Sequence, residues 1–330
     1  MTATEPGAAA TASVTAGLAF CELHVHIEGT LEPATIIALA RSKGIELPYA
    51  DEAAFARAYR FDDLQSFLGL YYDNMQVLQN EDDFFELGAA YLRRAHAGGV
   101  MHAEMFVDPQ AHSKRGVFER VVLAGLHRAI AIVGEETGMT ASIIVCVVRD
   151  EPVGDAMRML DNVLESGFTV VGIGLDSAEV GYPPSLFSGV FERARAAGLH
   201  TVAHAGEEGP AEYVREALDL LGAERIDHGN RALDDRALVA RLARDQVPLT
   251  MCPLSNVRLK GIPDIRSFPL RPALDAGLLV TINSDDPAYF GGYLDDNLRA
   301  VIATFELTRP EVEALAANSV TASFTGPGAH

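Results

Sequence analysis

Two histidines, His24 and His26, lie two positions apart in the run Cys21-Glu-Leu-His-Val-His-Ile-Glu-Gly-Thr30. The run predicts a short β-strand that ends in a turn at Gly29. Because side chains on a strand alternate between its faces, residues two apart project to the same side. Neutral imidazoles are ligands for divalent metal ions, so two of them at one strand end can bind a single ion. The spacing therefore predicts part of a metal site.

The rest of the chain predicts the scaffold that would hold such a site. Short apolar runs alternate with helix-like patterns along the 330 residues, which indicates parallel strands covered by helices. Eight such units over this length favour a closed (β/α)8 TIM barrel over an open doubly wound sheet. The strands that follow the first are predicted at Val100–Val107, Ser142–Val148, Val170–Leu175, His200–Ala205, Arg225–His228, Pro248–Cys252 and Leu278–Asn283.

The sequence predicts one domain, a barrel over residues 17–330. Residues 49–97, between strands 1 and 2, are predicted to form a helical insert, because their apolar residues recur at helical intervals. Residues 1–16 are rich in Ala and Thr and contain no Lys or Arg. We expect them to be a disordered leader, since they lack the positive region of a signal peptide.

Composition restricts the partners. A net charge of −20 with only three lysines repels phosphate backbones and argues against nucleic acid. The chain is 48% hydrophobic and 22% charged, as soluble globular proteins are, and no apolar run reaches the roughly 18 residues of a membrane span. Cys21, Cys146 and Cys252 lie far apart in apolar runs, which predicts reduced core thiols in a cytoplasmic protein. A small-molecule substrate is expected, and a homo-oligomer is left open.

Chemically active residues recur where the predicted strands end, which is where barrel enzymes build their active sites. Strand 1 ends in His24, His26 and Glu28, and three later strands end in similar groups. These are His204-Ala-Gly-Glu207 after strand 5, Asp227-His-Gly229 after strand 6, and Asn283-Ser-Asp-Asp286 after strand 8. Three histidines and a carboxylate suit a catalytic Zn2+ with one position open for water.

Each of these groups has an ordinary interpretation when taken alone. A single His-x-His is more often incidental than ligating, His204 could be a core histidine, and Asp285 and Asp286 could cap a helix at Pro287. Their joint occurrence at four strand ends instead predicts a metal site. No lysine lies near Val170–Leu175, where a second metal would be bridged by a modified lysine, so one ion is expected.

Two other site types are excluded. Gly172-Ile-Gly174 lacks the third glycine of a dinucleotide-binding fingerprint, and Pro183-Pro184 follows where its helix should begin. Met251-Cys-Pro253 does not match the Pro-Cys-x-x-Cys of the zinc cytidine-type deaminases.

Four motifs in this order resemble the adenosine/adenine deaminase family of metal-dependent amidohydrolases. They are His24-Val-His-Ile-Glu-Gly29, His204-Ala-Gly-Glu207, Asp227-His-Gly229 and Ser284-Asp-Asp-Pro287. The resemblance extends from about Leu18 over nearly the whole chain. It implies hydrolytic deamination of a 6-aminopurine, in which hydroxide bound to one zinc ion attacks C6.

The resemblance also implies a role for each matching residue. His24, His26, His204 and Asp285 would hold Zn2+, and Asp285 would thereby share in catalysis. Glu207 would donate a proton to the purine ring, which requires a raised pKa in a dry pocket. His228 would orient and stabilise the hydroxide, Asp286 would hydrogen-bond N7, and the backbone of Ser177 would contact the base.

The substrate is predicted from two positions at which this sequence differs from adenosine deaminases. Adenosine deaminases have Asp in the position of Glu28, where it holds the ribose, and Gly in the position of Ser177. The longer Glu28 would intrude on the sugar, and the segments around both residues resemble the bacterial and fungal adenine deaminase branch. We therefore predict that adenine is converted to hypoxanthine and ammonia. Adenosine is the alternative, followed by an adenosine-like nucleoside with a modified sugar.

The insert has two interpretations. Its apolar residues could only pack on the barrel, or some could form a water-excluding lid over the pocket. The family resemblance favours Leu64, Phe67, Leu68 and Tyr71 for the lid.

Two rival functions remain, a non-catalytic metal-bound scaffold and a phosphoester or lactone hydrolase. Glu207 and His228, which are not expected metal ligands, favour an enzyme. The negative charge of Asp286 disfavours a phosphate substrate.

Overall fold

A computed structural model describes residues 14–49 and 52–324. Within them, eight parallel strands follow one another around a single sheet in chain order. The strands are β1 Phe20–His26, β2 Val100–Val107, β3 Thr140–Val148, β4 Gly172–Asp176, β5 His200–Ala205, β6 Arg225–His228, β7 Leu249–Met251 and β8 Val280–Ile282. The predicted (β/α)8 TIM barrel is confirmed.

Helices surround this sheet and cover its outer face. They are α1 Pro33–Lys43, α2 Glu52–Ala58, α3 Leu64–Asn74, α4 Glu81–Ala97, α5 Pro109–Ser113, α6 Glu119–Thr137, α7 Val153–Glu165, α8 Ser188–Ala196, α9 Ala211–Glu216, α10 Arg236–Asp245, α11 Pro253–Arg258, α12 Leu270–Asp275, α13 Pro287–Phe290, α14 Leu294–Phe305 and α15 Arg309–Thr321. Every residue of β1 and of β4 is buried, as expected for strands that are covered on both faces. No helix in the described part of the chain is long and apolar enough to cross a membrane.

The first and last strands meet at a seam that differs from the other seven junctions. The contact is a single bridge between Val25 and Asp285. The His26 amide donates to the Asp285 carbonyl at 3.0 Å, and the Asp285 amide donates to the His24 carbonyl at 3.1 Å. The Leu23 amide donates to the side chain of Asn283 at 2.9 Å. The barrel therefore closes at the level of the predicted metal ligands.

The segment between β1 and β2 contains two kinds of helix. Helix α4 packs on α6 as part of the barrel layer, and a Cβ added at Gly88 would lie 2.9 Å from the Cβ of Ala129. Helix α3 instead buries Phe67, Leu68 and Tyr71 at the carboxyl end of the barrel. Thus α3 is a part of the predicted 49–97 insert that covers this end of the barrel. Residues 50 and 51 of the insert lie outside the described part. Most of the predicted leader, residues 1–13, also lies outside it.

Candidate active site

Four predicted metal ligands converge at the carboxyl end of the barrel. Nitrogen or oxygen atoms of His24, His26, His204 and Asp285 all lie within 4.8 Å of one another, and each residue is buried. Asp285 Oδ1 lies 3.3 Å from His24 Nε2 and 3.5 Å from His26 Nε2. The Nε2 atoms of His26 and His204 are 3.1 Å apart.

The outer nitrogens of these histidines face oxygen atoms. His24 Nδ1 lies 2.9 Å from the hydroxyl of Thr250, which donates to Asp227. His204 Nδ1 lies 3.5 Å from Asp227 Oδ2, and His26 Nδ1 lies 3.6 Å from Asp176 Oδ2. Oxygen partners on the outer nitrogen fix the ring and leave the lone pair of the other nitrogen free for a metal.

A divalent cation fits this group. Among the described residues, His24 Nε2 is buried without a hydrogen-bond partner, although it points at the group. Two lone pairs facing each other at 3.1 Å, as on His26 and His204, repel unless a cation lies between them. Burial lowers the pKa of His24 to about 3, so its ring is neutral, as ligation requires. Nitrogen and carboxylate donors in this ratio suit Zn2+.

Three site residues that are not glycine adopt left-handed backbone conformations at strand ends. Their φ angles are +70° for Ser177, +61° for His228 and +66° for Asp285. Such angles are uncommon outside glycine and cluster at functional sites, because the surrounding structure must compensate for the strain. Here each turns the chain sharply where a strand ends, at the rim of the barrel.

A cavity lies above the ligand group. It brings together most of the residues predicted from the sequence. These lining residues are His26, Leu64, Phe67, Leu68, Tyr71, Ser177, His204, Glu207, His228, Asp285 and Asp286. The apolar members come from α3, which covers the cavity.

The carboxyl group of Glu207 is held in a nearly dry environment. Burial, together with the negative charges of Asp285 and Glu179, raises its pKa well above the usual range. Its Oε1 accepts from Asn256 Nδ2 at 3.2 Å, and its Oε2 lies 3.6 Å from His228 Nε2. These surroundings favour the protonated form of Glu207.

Asp286 packs against the backbone of Gly29. A Cβ at position 29 would collide with its carboxyl group, which explains the glycine that ends the first motif. Burial, followed by the neighbouring charge of Asp285, raises the pKa of Asp286 well above the usual range. Because its buried Oδ1 has no hydrogen-bond partner among the described residues, it can bind a polar atom of a ligand.

Glu28 is not part of the cavity lining. Its Oε1 accepts from the Asp108 amide at 3.1 Å and lies 2.7 Å from His112 Nε2. The side chain therefore turns toward α5, and Asp108 and Tyr71 line the wall of the cavity there. Any effect of Glu28 on a sugar would act through these neighbours.

The lid is connected to the barrel by a chain of hydroxyl groups. The Tyr72 hydroxyl donates to Ser177 Oγ at 3.0 Å, and Ser177 Oγ donates to Asp150 at 2.9 Å. This bridge, from Tyr72 through Ser177 to Asp150, closes the cavity between α3 and the segment after β4.

Several site residues were not identified from the sequence. Asp108 directly follows β2 and Asp176 ends β4, so the strand-end rule applied to those strands would have found them. Tyr72 in α3, Asn256 in α11 and Glu179 in the loop after β4 carried no such signal.

Asn256 is the missed residue with the clearest chemical consequence. It donates to Glu207 and lies 3.3 Å from His228 Nδ1, while its own oxygen accepts from Asn230 at 2.8 Å. If it donates to Nδ1, neutral His228 carries its proton on Nε2, which faces Glu207 and Asp285. We expect this contact to set the tautomer of His228.

We expect Asn256→Asp to lower kcat about 10- to 100-fold with little change in KM, because a carboxylate cannot donate to either partner. Steady-state kinetics of the metal-loaded protein measures this effect. The exposed Asn162→Asp on α7 is the matched control. Wild-type kcat in Asn256→Asp would remove Asn256 from this role.

Comparison with known proteins places this chain in a family. The profile of the adenosine deaminase family matches residues 20–327. An adenine deaminase of Streptomyces coelicolor is 57% identical over 92% of this chain and 89% of its own length. An adenine deaminase of Sphingopyxis alaskensis is 50% identical over 95% of this chain and 92% of its own.

Two solved structures are similar over most of the chain. Adenine deaminase from Arthrobacter aurescens gives a TM-score of 0.92 at 52% identity, covering 93% of this chain and 94% of its own. An amidohydrolase from Burkholderia ambifaria with bound Zn gives a TM-score of 0.87 at 27% identity. The match covers 98% of this chain and 89% of the amidohydrolase. With the family profile matched over nearly its whole length, this chain belongs to the adenosine deaminase family.

Proposed function

We propose that this protein is a zinc-dependent adenine deaminase that converts adenine and water to hypoxanthine and ammonia. The observation that carries the proposal is a single cavity in which Glu207 and Asp286, both with raised pKa values, stand over a buried group of metal ligands. The relatives at 50–57% identity that are named adenine deaminase support the free base as substrate.

His24, His26, His204 and Asp285 would hold one Zn2+. A zinc ion bound there would make water nucleophilic at neutral pH. The similar amidohydrolase with bound Zn supports this choice of metal.

Glu207 makes the ring carbon reactive. C6 of adenine resists addition of water until the adjacent N1 gains a proton, because protonation draws electrons from the C6–N1 bond. Glu207 lies on the cavity wall, and its surroundings favour the protonated form, so it can donate that proton to N1 as water adds to C6. Loss of ammonia from C6 then gives the 6-oxopurine.

His228 and Asp286 orient the reacting groups. His228 Nε2 lies 3.6 Å from Glu207 and 3.8 Å from Asp285, and burial lowers its pKa. The neutral ring can therefore donate Nε2–H to the oxygen of the attacking water. A protonated Asp286 can donate to N7, which is an acceptor in adenine.

The cavity wall favours a free base over a nucleoside. The bridge from Tyr72 through Ser177 to Asp150 ties the lid to the barrel beside the base. Tyr71 and Asp108 fill the wall next to Glu28. A ribose would have to displace these groups, and a buried hydrogen bond is costly to leave unmade.

Ammonia release from the zinc-loaded protein tests the substrate. We expect kcat/KM for adenine to exceed that for adenosine by about 100-fold or more, since a site crowded by buried polar groups rejects the larger ligand. Hypoxanthine appearing in step with ammonia is the control for the reaction. Equal or greater activity on adenosine would contradict the choice of adenine. No ammonia release from either compound with zinc bound would indicate another aminopurine as substrate.

A further inference from the structure

The carboxylate of Glu179 binds four successive backbone amides. Its Oε1 accepts from the amide of Gly206 at 2.7 Å, and its Oε2 accepts from Glu207 at 3.0 Å, Glu208 at 2.8 Å and Gly209 at 2.8 Å. Glu179 is only 1% exposed and lies after β4, on a different strand-to-helix connection from its partners. We call this arrangement the Glu179 clamp.

The clamped segment, residues 206–209, lies beyond the end of β5 and has no ladder partner in the sheet. The ladder between β5 and β6 ends with the pairs His204–Asp227 and Ala205–His228. The metal ligand His204 is therefore held by the sheet, whereas Glu207 follows it on a turn. Buried amides need acceptors, and for residues 206–209 Glu179 supplies them.

The fit around the clamp is tight. Gly206 has a left-handed φ of +73°, and a Cβ there would lie 2.9 Å from Val214. A Cβ at Gly209 would lie 2.7 Å from Glu179 Oε1 and 2.7 Å from the Tyr213 ring. Gly209 thus lets the backbone approach the carboxylate closely, whereas Gly206 allows the turn to pack against Val214.

Arg149 supports the same turn from the opposite side. Its guanidinium donates to the His204 carbonyl at 2.7 Å and to the Tyr182 carbonyl at 2.8 Å, and the side chain is fully buried. Its positive charge lies near the carboxylates of Glu179 and Glu207. The turn that carries Glu207 is therefore fixed at both ends.

We propose that Glu179 is a positioning residue for Glu207: through the clamp it fixes the backbone from which the proton donor reaches the purine. The inference rests on the proposed function, because it assigns Glu179 a part in the same reaction. Glu179 does not line the cavity, so it acts on the substrate only through Glu207.

The clamp predicts a selective loss of rate. Without it, the sheet still holds His204, so zinc stays bound, but the Glu207 carboxyl samples positions away from N1. A misplacement of about 1 Å costs about 10²-fold in rate. Glu179→Gln keeps the shape but turns an amide NH2 toward at least one N–H donor, so we expect kcat to fall about 10- to 100-fold with KM changed less than about threefold.

Two variants and one control test this. Glu179→Gln removes the charge, and Gly209→Ala pushes on the carboxylate from the other side without changing a charge. Glu192→Gln, an exposed glutamate on α8, is the matched control. For each protein we would measure kcat and KM on adenine, zinc per chain, and hydrogen exchange of peptides covering residues 206–209.

The proposal is supported if both variants lose kcat and keep one zinc ion per chain. In both, the amide hydrogens of residues 206–209 should also exchange at least about tenfold faster, with exchange in other regions unchanged. It is overturned if kcat is unchanged, or if activity falls only in proportion to lost zinc or lost folded protein. If Glu179→Gln does not fold, the same measurements on Gly209→Ala decide whether the proposal holds. An inactive wild type would refute the proposed function instead, and hydrogen exchange would still report on the clamp.

Discussion

Replacing Glu207 with glutamine is expected to leave only residual deamination while the metal stays bound. Glutamine has nearly the same shape and can still accept from Asn256, but it has no acidic proton to give to N1. Loss of a general acid lowers kcat by about 10²- to 10⁴-fold. None of the four predicted metal ligands is changed, so zinc per chain should equal that of the wild type.

The raised pKa of Glu207 gives this prediction a pH dependence. Burial and the nearby carboxylates favour the protonated form of Glu207. The kcat/KM of the wild type should fall as the pH rises through this pKa, and the residual activity of Glu207→Gln should lack that fall. Glu212→Gln, an exposed change on α9, is the control. Retained turnover in Glu207→Gln would assign the proton donation to another group.

Asp285→Asn is expected to lose both the metal and the activity. Burial would raise the pKa of Asp285, but the adjacent His24, His228 and His26 hold it well below the usual range, so it is an anion in the native protein. Asparagine removes that charge and one strong ligand atom. Substitution of a residue that only hydrogen-bonds a metal ligand already costs about 10- to 100-fold in metal affinity. We expect a larger loss here.

Asparagine is preferred to alanine at this position for a structural reason. Asp285 has a φ of +66° and its backbone closes the barrel, and asparagine tolerates this conformation whereas alanine adds strain. Zinc titration of the metal-free protein measures affinity, and ammonia release measures activity. The exposed Asp275→Asn on α12 should match the wild type. Tight zinc binding by Asp285→Asn would remove Asp285 from the ligand set.

The sequence predicted the scaffold closely where apolar runs end abruptly. Strands β2, β5 and β6 begin and end at the predicted residues. The prediction was too long for β8, which spans only Val280–Ile282. The apolar run extends further than the ladder, because β8 pairs with β7 and the bridge to β1 is made by Asp285, three residues after β8.

The supporting residues of the site could not be predicted in the same way. The four motifs place polar side chains at strand ends, and a barrel brings strand ends together whatever the loops do. Glu179 has its effect through amides 27 to 30 residues further along the chain, and Tyr72 reaches Ser177 from a helix 105 residues earlier. Such contacts depend on the three-dimensional path of loops, which no local pattern encodes.

The seam between β1 and β8 has a consequence for how the enzyme is made. His24 and His26 leave the ribosome early. Asp285, which completes the seam and the predicted ligand set, follows some 260 positions later. Leu23 and Asn283, which also bond across the seam, are 260 positions apart. A nascent chain that stops before β8 has neither a closed barrel nor a complete ligand set. We therefore expect metal loading to follow translation of nearly the whole chain.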